Sequence, residues 1–175
     1  MDKFFEELDY LVINYNTNFL YLFDELFSTN YERLKTFCLR IKNYEIKWSA
    51  AFRVGDVTQE MLHILKESGC VQMGFGIESA DNRILKSMRK KITVEQIEKA
   101  LKLVYDSGMI AQGNLIFGDI EETVETARKS LNWWYAHREY SLKLAPIIAY
   151  PGTFAYQHAC ARGLIKDKIE FLRDG

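Results

Sequence analysis

The 175-residue sequence has few cysteines and no grouping of them. Cys38, Cys70 and Cys160 lie far apart and form neither a C-x-x-C nor a C-x-x-x-C-x-x-C motif. An odd number of cysteines without regular spacing indicates reduced, buried thiols rather than a disulfide framework. The three histidines also lack metal-ligand spacing, so we predict no metal ligands within this sequence.

The sequence also lacks an excess of charge and long apolar runs. Its formal net charge is -1, whereas broad surfaces for nucleic acid or anionic membranes need a basic excess. No apolar run approaches the ~20 residues that cross a bilayer. The acidic N-terminus does not have the layout of a signal peptide. We therefore expect a cytoplasmic protein that binds neither nucleic acid nor a membrane.

Proline is scarce as well, because only Pro146 and Pro151 occur. No low-complexity stretch or linker interrupts the chain, which is typical of one domain. We expect a single domain over residues 1–175, with its core between Phe19 and Thr153.

Apolar strand segments alternate with helical segments five times after a leading helix over residues 1–15. The predicted strands are Phe19–Phe23, Ile46–Phe52, Val71–Ile77, Met109–Phe117 and Leu142–Ala149. The predicted helices are 29–43, 58–69, 82–88, 93–107, 121–137 and 153–162. Such alternation indicates parallel strands joined by right-handed helical crossovers.

Two architectures fit this alternation, an open doubly wound sheet and a barrel of the TIM type. Polar or turn residues recur at or near the strand ends, at Asp24-Glu25, Arg53, Glu78-Ser79, Asn114 and Pro151-Gly152-Thr153. They favour the barrel, in which all strands share one site. A βα unit begins with its strand, yet this chain begins with a helix. We therefore expect an α/β fold, a partial and open (β/α) TIM-like barrel of parallel strands that lacks its first strand.

The segment from Gly74 to Ser79 begins like the dinucleotide motif G-x-G-x-x-G, but Ser79 replaces the third glycine. The two glycines instead let the strand pack closely and bring Glu78 to its carboxyl end. A carboxylate there can accept hydrogen bonds from ribose hydroxyls. The alternative is a surface carboxylate that begins a loop.

Three other polar features have a functional and a structural interpretation. Asp24-Glu25 can bind an ammonium group or can supply helix N-terminal charge. Asn114 needs a hydrogen-bond partner, which is either a core backbone group or a ligand hydroxyl. The basic run Arg89-Lys90-Lys91 is typical of a solvated face, although one member can reach a ligand carboxylate.

The segment from Gly69 to Ser79 resembles the radical S-adenosylmethionine (SAM) superfamily. Further matching segments are Ile84–Met88 with Lys91–Thr93, Ile116-Phe117-Gly118 with Glu122-Thr123, and Tyr150-Pro151-Gly152-Thr153. Their order and spacing fit from Phe19 to Thr153. The segments Phe23–Phe27 and Trp48–Arg53 look most like the cobalamin-linked and methylthiotransferase-like branches.

The resemblance implies that SAM is bound at the strand ends. Asp24 and Glu25 would bind its amino group. Glu78, with Ser79 nearby, would bind the ribose, and Asn114 would meet the ribose from the following strand.

The same resemblance assigns the remaining parts of SAM. A basic residue would meet the SAM carboxylate, and Lys91 is the better match, ahead of Lys90. Backbone around Phe117-Gly118 and Ile147-Ile148 would flank the adenine. Arg53 would point into the cavity from its strand.

The implied activity is reductive cleavage of SAM to methionine and a 5′-deoxyadenosyl radical at a [4Fe–4S] cluster. The three thiolates of a C-x-x-x-C-x-x-C motif hold that cluster in the family, and this sequence departs from the family by lacking the motif. Other departures are Ile120 in place of a usual proline and Asn114 in place of glycine or an acid. We therefore expect the SAM-binding part of a radical SAM enzyme, truncated or split and inactive alone. The cluster, and a cobalamin if there is one, would belong to the complete enzyme.

Two rival hypotheses remain open at this point. One is a non-enzymatic scaffold module that keeps the fold. The other is an unrelated half-barrel lyase or isomerase, with Glu78, Lys91 and Arg53 as acid–base groups. An exposed barrel edge also predicts self-association, since unpaired strand edges invite pairing. The resemblance names SAM as the small-molecule partner and leaves the second substrate open.

Overall fold

The structure, a computed structural model, describes residues 1–24 and 27–174. Its strands are β1 (Phe19–Leu22), β2 (Lys47–Phe52), β3 (Cys70–Glu78), β4 (Ile110–Phe117) and β5 (Ser141–Pro146). Its helices are α1 (Asp2–Tyr15), α2 (Tyr31–Ile41), α3 (Gln59–Glu67), α4 (Asn82–Ser87), α5 (Val94–Asp106), α6 (Val124–Ala136), α7 (Phe154–Ala161) and α8 (Lys168–Asp174).

The order of the strands distinguishes between the two architectures. Within the described residues the five strands form one parallel sheet in the order β1-β2-β3-β4-β5. In a doubly wound sheet the strand order reverses at a switch point, whereas the strand order of this sheet does not reverse. Right-handed crossovers that always step the same way place the connecting helices on one face. The predicted partial, open (β/α) barrel of parallel strands is therefore confirmed.

The helix-covered face of the sheet holds the apolar core. Alternate residues of the inner strands are buried there, at Trp48, Ala50, Phe52, Met73, Phe75, Ile77, Ala111 and Leu115. Trp48 packs edge-on against Phe37, with ring centroids 5.1 Å apart. Its indole Nε1–H donates to the Ser68 carbonyl over 3.0 Å, so the one polar atom of this buried ring is satisfied.

The opposite face of the sheet is open. Tyr21, Gly76 and Asn114 are exposed on it, and the Gln72 amide donates to the Gln112 side chain across β3 and β4. Because successive side chains of a strand point to opposite faces, this face is the one that a closed barrel would have as its interior.

The helix ends follow local signals with small shifts. The hydroxyls of Thr58, Thr93, Thr123 and Thr153 accept the first free backbone N–H groups of α3, α5, α6 and α7. Helix α6 was predicted to begin three residues before Val124, but a turn closed by the Glu122 N–H to the Asp119 carbonyl occupies those positions. Helix α8 was not predicted. No helix in the described part of the chain is long and apolar enough to cross a membrane.

Replacing Gly69 by alanine should lower the free energy of unfolding by about 2 kcal/mol or more. Gly69 has φ +92°, and an added Cβ would lie 2.5 Å from the Ile46 carbonyl oxygen. Gly55→Ala is the matched control, because a Cβ there meets nothing within 4 Å. Urea unfolding of both variants checks the prediction. Equal stability of the two variants would contradict it.

Candidate functional site

Strand β3 ends in a tight turn at Glu78. The Ser79 N–H donates to the Ile77 carbonyl over 3.0 Å, and Glu78 between them has φ 67°. This three-residue turn is the rare, strained form for a non-glycine residue. The pairing of β3 with β4 also shifts between Gly76 and Glu78. The Glu78 side chain consequently turns back over its own strand.

The turned-back carboxylate forms an ion pair with Lys90. Lys90 Nζ lies 2.8 Å from Glu78 Oε1, with the two side chains 36% and 14% exposed. The same Nζ donates to the Gly76 carbonyl over 3.4 Å. Glu78 Oε2 is buried and has no hydrogen-bond partner. A buried acceptor without a donor is costly, so this oxygen is suited to a donor from a ligand.

Gly76 provides the space for this ion pair. A Cβ at position 76 would lie 2.8 Å from Glu78 Oε1 and 2.9 Å from Lys90 Nζ. A Cβ at Gly74, two residues earlier on the same face, would make only an ordinary contact of 3.6 Å with the Ala50 carbonyl. A Cβ at position 76 would thus displace the ends of both side chains of the pair, whereas a Cβ at position 74 would not.

A helix-terminating turn aims Lys90 at Glu78. After α4, the Lys90 N–H donates to the Leu85 carbonyl over 2.8 Å and the Arg89 N–H donates to the Lys86 carbonyl over 3.0 Å. This is a Schellman turn, in which Arg89 with φ 56° stands where glycine is usual. The left-handed conformation costs a non-glycine residue ~1 kcal/mol. Strained residues cluster at functional sites, and Glu78 and Arg89 line the same cavity.

Two cavities flank the ion pair at the carboxyl ends of the strands. Glu78 and Lys90 line both of them. The first, of about 390 Å³, lies toward β4 and β5 and is largely apolar, with Ile116, Ile120, Ile147, Met88 and Phe154 in its wall. The second, of about 510 Å³, lies toward β2 and is cationic, with Arg53, Lys90 and Lys91 in its wall.

Three of the residues predicted from the sequence come together here, since Arg53, Glu78 and Lys91 all line the second cavity. Lys90, the neighbour of the favoured Lys91, forms the ion pair with Glu78. Asp24 follows β1 and pairs with Arg33 of α2 over 3.0 Å, and it is not among the residues that line the two cavities. Glu25 lies outside the described residues.

Ser79 and Asn114 are not brought to the cavities. The Ser79 hydroxyl is buried behind the turn and lies 3.2 Å from the Ser130 hydroxyl of α6. Asn114 is exposed on the open face, in register with Gly76. Their predicted contacts with ribose remain predictions.

The residues at the ends of β4 and β5 that line the first cavity are sequence neighbours of the predicted residues Phe117, Gly118 and Ile148. The Phe117 carbonyl accepts the Ile147 N–H over 2.7 Å, and the Gly118 N–H donates to the Glu122 carboxylate over 2.5 Å. Ile148 is exposed. Ile116 and Ile147 form the cavity wall instead. The Phe117 carbonyl thus ties the end of β4 to the residue after β5, and the predicted role of Phe117, Gly118 and Ile148 near adenine remains a prediction.

The three cysteines do not form a cluster site. Burial raises the pKa of the Cys38 thiol to about 11 and that of Cys70 to about 12. Within residues 1–24 and 27–174, no group of three or more cysteine, histidine or carboxylate side chains is placed to bind a metal. The described residues therefore do not offer the three grouped thiolates that an iron–sulfur cluster needs.

Comparison with known proteins identifies the family. The profile of the radical SAM superfamily matches residues 1–133. The chain belongs to the radical SAM superfamily. Enzymes of this superfamily use SAM and a [4Fe–4S] cluster. The resemblance in the sequence is thus confirmed, and with it membership of an enzyme family.

Two relatives show how much of a longer protein this chain resembles. An uncharacterized methyltransferase of Pyrococcus horikoshii is 32% identical over 174 residues, covering 94% of this chain and 36% of the relative. The anaerobic magnesium-protoporphyrin IX monomethyl ester cyclase of Rubrivivax gelatinosus is 26% identical over 132 residues, covering 73% of this chain and 24% of that protein. The chain spans little more than a third of these relatives at most.

Solved structures with the same fold include two cobalamin proteins. A radical SAM methyltransferase from Kitasatospora setae, with cobalamin and a [4Fe–4S] cluster bound, matches with a TM-score of 0.70 at 16% identity, over 81% of this chain and 28% of that one. The cobalamin-dependent SAM radical enzyme OxsB matches with a TM-score of 0.68 at 23% identity, over 99% of this chain and 26% of that one. These likenesses show the fold.

A thiol reagent should modify one cysteine per folded chain at pH 8. Cys160 is half-buried, whereas Cys38 and Cys70 are buried with strongly raised pKa values, so their reactive thiolate forms are nearly absent. All three thiols should react after unfolding in urea. Rapid labelling of Cys38 or Cys70 in the folded protein, located by peptide mass spectrometry, would contradict the structure.

Proposed function

We propose that this chain is the SAM-binding part of a radical SAM enzyme whose [4Fe–4S] cluster is held by cysteines other than its own. The observation that carries the proposal is Glu78 Oε2, a buried acceptor without a partner in the wall shared by both cavities. A ribose hydroxyl supplies the missing donor. Membership of the superfamily supports SAM as the ligand that carries this ribose.

The two cavities suit the two ends of SAM. The apolar wall of the first, formed by Ile116, Ile120 and Ile147, suits the adenine ring. The cationic second cavity suits the methionine carboxylate, which Lys90 or Lys91 would bind. Lys90 is the better placed of the two because its Nζ already lies against Glu78.

The methionine ammonium group is left for a carboxylate, which we assign to Asp24 and Glu25 after β1. Arg33 neutralises part of the Asp24 charge, and both side chains are about two-fifths exposed. Exposed partners of this kind can exchange for a ligand at little cost.

The chain's share in the reaction is to bind and orient SAM. Reductive cleavage of SAM is the chemistry of the superfamily. The Glu78 turn fixes the ribose, and the apolar wall excludes water from the adenine side. Holding the two ends in separate cavities limits the positions that the sulfonium between them can take.

The reaction class that we favour for the complete enzyme is methyl transfer. The relative at 32% identity carries a methyltransferase name, and two structures of the same fold are named as cobalamin proteins. Cobalamin in the complete enzyme, a cytoplasmic location and self-association through the β1 edge also belong to this proposal.

Glu78→Ala should weaken binding of both SAM and adenosine about tenfold, because both ligands carry the ribose. Asp24→Ala should weaken SAM alone, because adenosine has no ammonium group. Isothermal titration of the 175-residue chain measures both. Glu7→Ala, which removes an exposed carboxylate on α1, is the control.

Wild-type affinity in both variants would overturn the assignment of the pocket. Absence of SAM binding to the unaltered chain would favour a scaffold module. Turnover of a carbonyl substrate without SAM or iron would favour the half-barrel lyase or isomerase.

Gly76→Ala should reduce SAM affinity, because the ends of Glu78 and Lys90 must move away from the added methyl group, whereas Gly74→Ala should leave the affinity within about twofold. Only the first Cβ collides with the Glu78–Lys90 pair. Both variants add one methyl group to the same face of β3, so the strand propensity changes equally in the two. Equal SAM affinities of the two variants would show that the ion pair does not need the space above Gly76.

A further inference from the structure

A pair of buried hydroxyls lies directly behind the Glu78 turn. Ser79 Oγ and Ser130 Oγ are 3.2 Å apart, and the two residues are 1% and 2% exposed. The Ala80 N–H donates to Ser130 Oγ over 3.1 Å. The Asp81 N–H donates to Ser79 Oγ over 3.1 Å. Helix α6 is thereby tied to the loop that follows β3.

Lys129, the residue before Ser130, connects α6 to the same loop through an ion pair. Lys129 Nζ lies 3.0 Å from Asp81 Oδ2, and Asp81 Oδ1 accepts the first free N–H groups of α4 from Arg83 and Ile84. Burial raises the pKa of Asp81, but the hydrogen bonds from Lys129 and these two amides outweigh it and hold the pKa below its usual range. The carboxylate is therefore charged at neutral pH, as the tie requires.

The tied loop joins the two partners of the ion pair at the site. Glu78 immediately precedes it, and α4, which ends in the turn that carries Lys90, immediately follows it. Glu78 itself is held in a left-handed conformation that isolated chains avoid. Such a conformation persists only where the surrounding structure over-determines it. The Ser79 N–H to the Ile77 carbonyl closes the turn from within, and the α6 contacts hold it from behind.

We propose that Ser130 is a positioning residue that acts through Glu78. It lines neither of the two cavities, and its hydroxyl fixes the loop so that the Glu78 carboxylate faces them. Ser79 belongs to the same network. Its hydroxyl accepts the Asp81 N–H and is held in place by the Ser130 hydroxyl. This inference rests on the proposed SAM site.

A double-mutant cycle on the 175-residue chain tests the inference. Ser130→Ala should raise the Kd for SAM about fivefold, the usual effect of losing one buried hydrogen bond. In the Glu78→Ala background, the same substitution should change the Kd less than about twofold, because the group it positions is gone. Ser130→Thr, which keeps the hydroxyl, should restore most of the affinity. Ser68→Ala, which removes a buried hydroxyl at the end of α3, is the matched control.

A fivefold loss that persists in the Glu78→Ala background would overturn the inference, because it would mean that Ser130 only supports general stability. An unchanged SAM affinity in Ser130→Ala would also overturn it. If the unaltered chain binds no SAM, the proposed function fails and the positioning role is decided by amide hydrogen exchange.

The exchange experiment measures how well the Glu78 turn is protected from opening, and it needs no ligand. Ser130→Ala should speed exchange of the Ser79 amide, which closes the Glu78 turn, about tenfold. It should speed the Ala80 amide as well, because that amide loses its acceptor. Faster exchange at Ala80 with an unchanged Ser79 amide would show that the turn stands without Ser130, and the inference would be wrong.

Discussion

The arrangement at the carboxyl ends of the strands depends on holding Glu78 in a left-handed backbone conformation. A residue in extended conformation there would continue the alternation of β3 and direct its side chain out of one face of the sheet. The positive φ turns the carboxylate back over Gly76 instead, to within 2.8 Å of Lys90. Every feature nearby accommodates that turn: the missing side chain at position 76, the register shift toward β4, and the buried hydroxyls behind it.

The site combines strained backbone at Glu78 and Arg89 with an incompletely paired Glu78 carboxylate. Glu78 and Arg89 both occupy a conformation that costs ~1 kcal/mol or more without glycine. One oxygen of Glu78 is paired and the other is buried without a donor. A fully satisfied salt bridge would be sufficient for structure alone. The unsatisfied oxygen is the part of the arrangement that stability does not explain.

The sequence carried enough information for the fold because each inner strand is an apolar run ended by polar residues. The sequence also indicated Glu78 as a candidate site residue, because a carboxylate that directly follows an apolar strand can be recognised within one short segment. The pairing of Lys90 with Glu78 could not be predicted, because Arg89 occupies the turn position where glycine would have indicated the geometry. The partner of Ser79 lies 51 residues away on α6, and no local pattern connects the two. Helix α8 is short and largely charged, so it lacks an apolar period.

The strand order has a consequence for how proteins of this type can diversify. The unit formed by β3 and α4 contributes Glu78 and Lys90 to both cavities, while β2 contributes only to one and β4 and β5 only to the other. The lining of one cavity can therefore change without a change in the strands that line the other. Substitutions in β2 would thus alter the second cavity and substitutions in β4 the first, and only the unit of β3 and α4 is shared by the two.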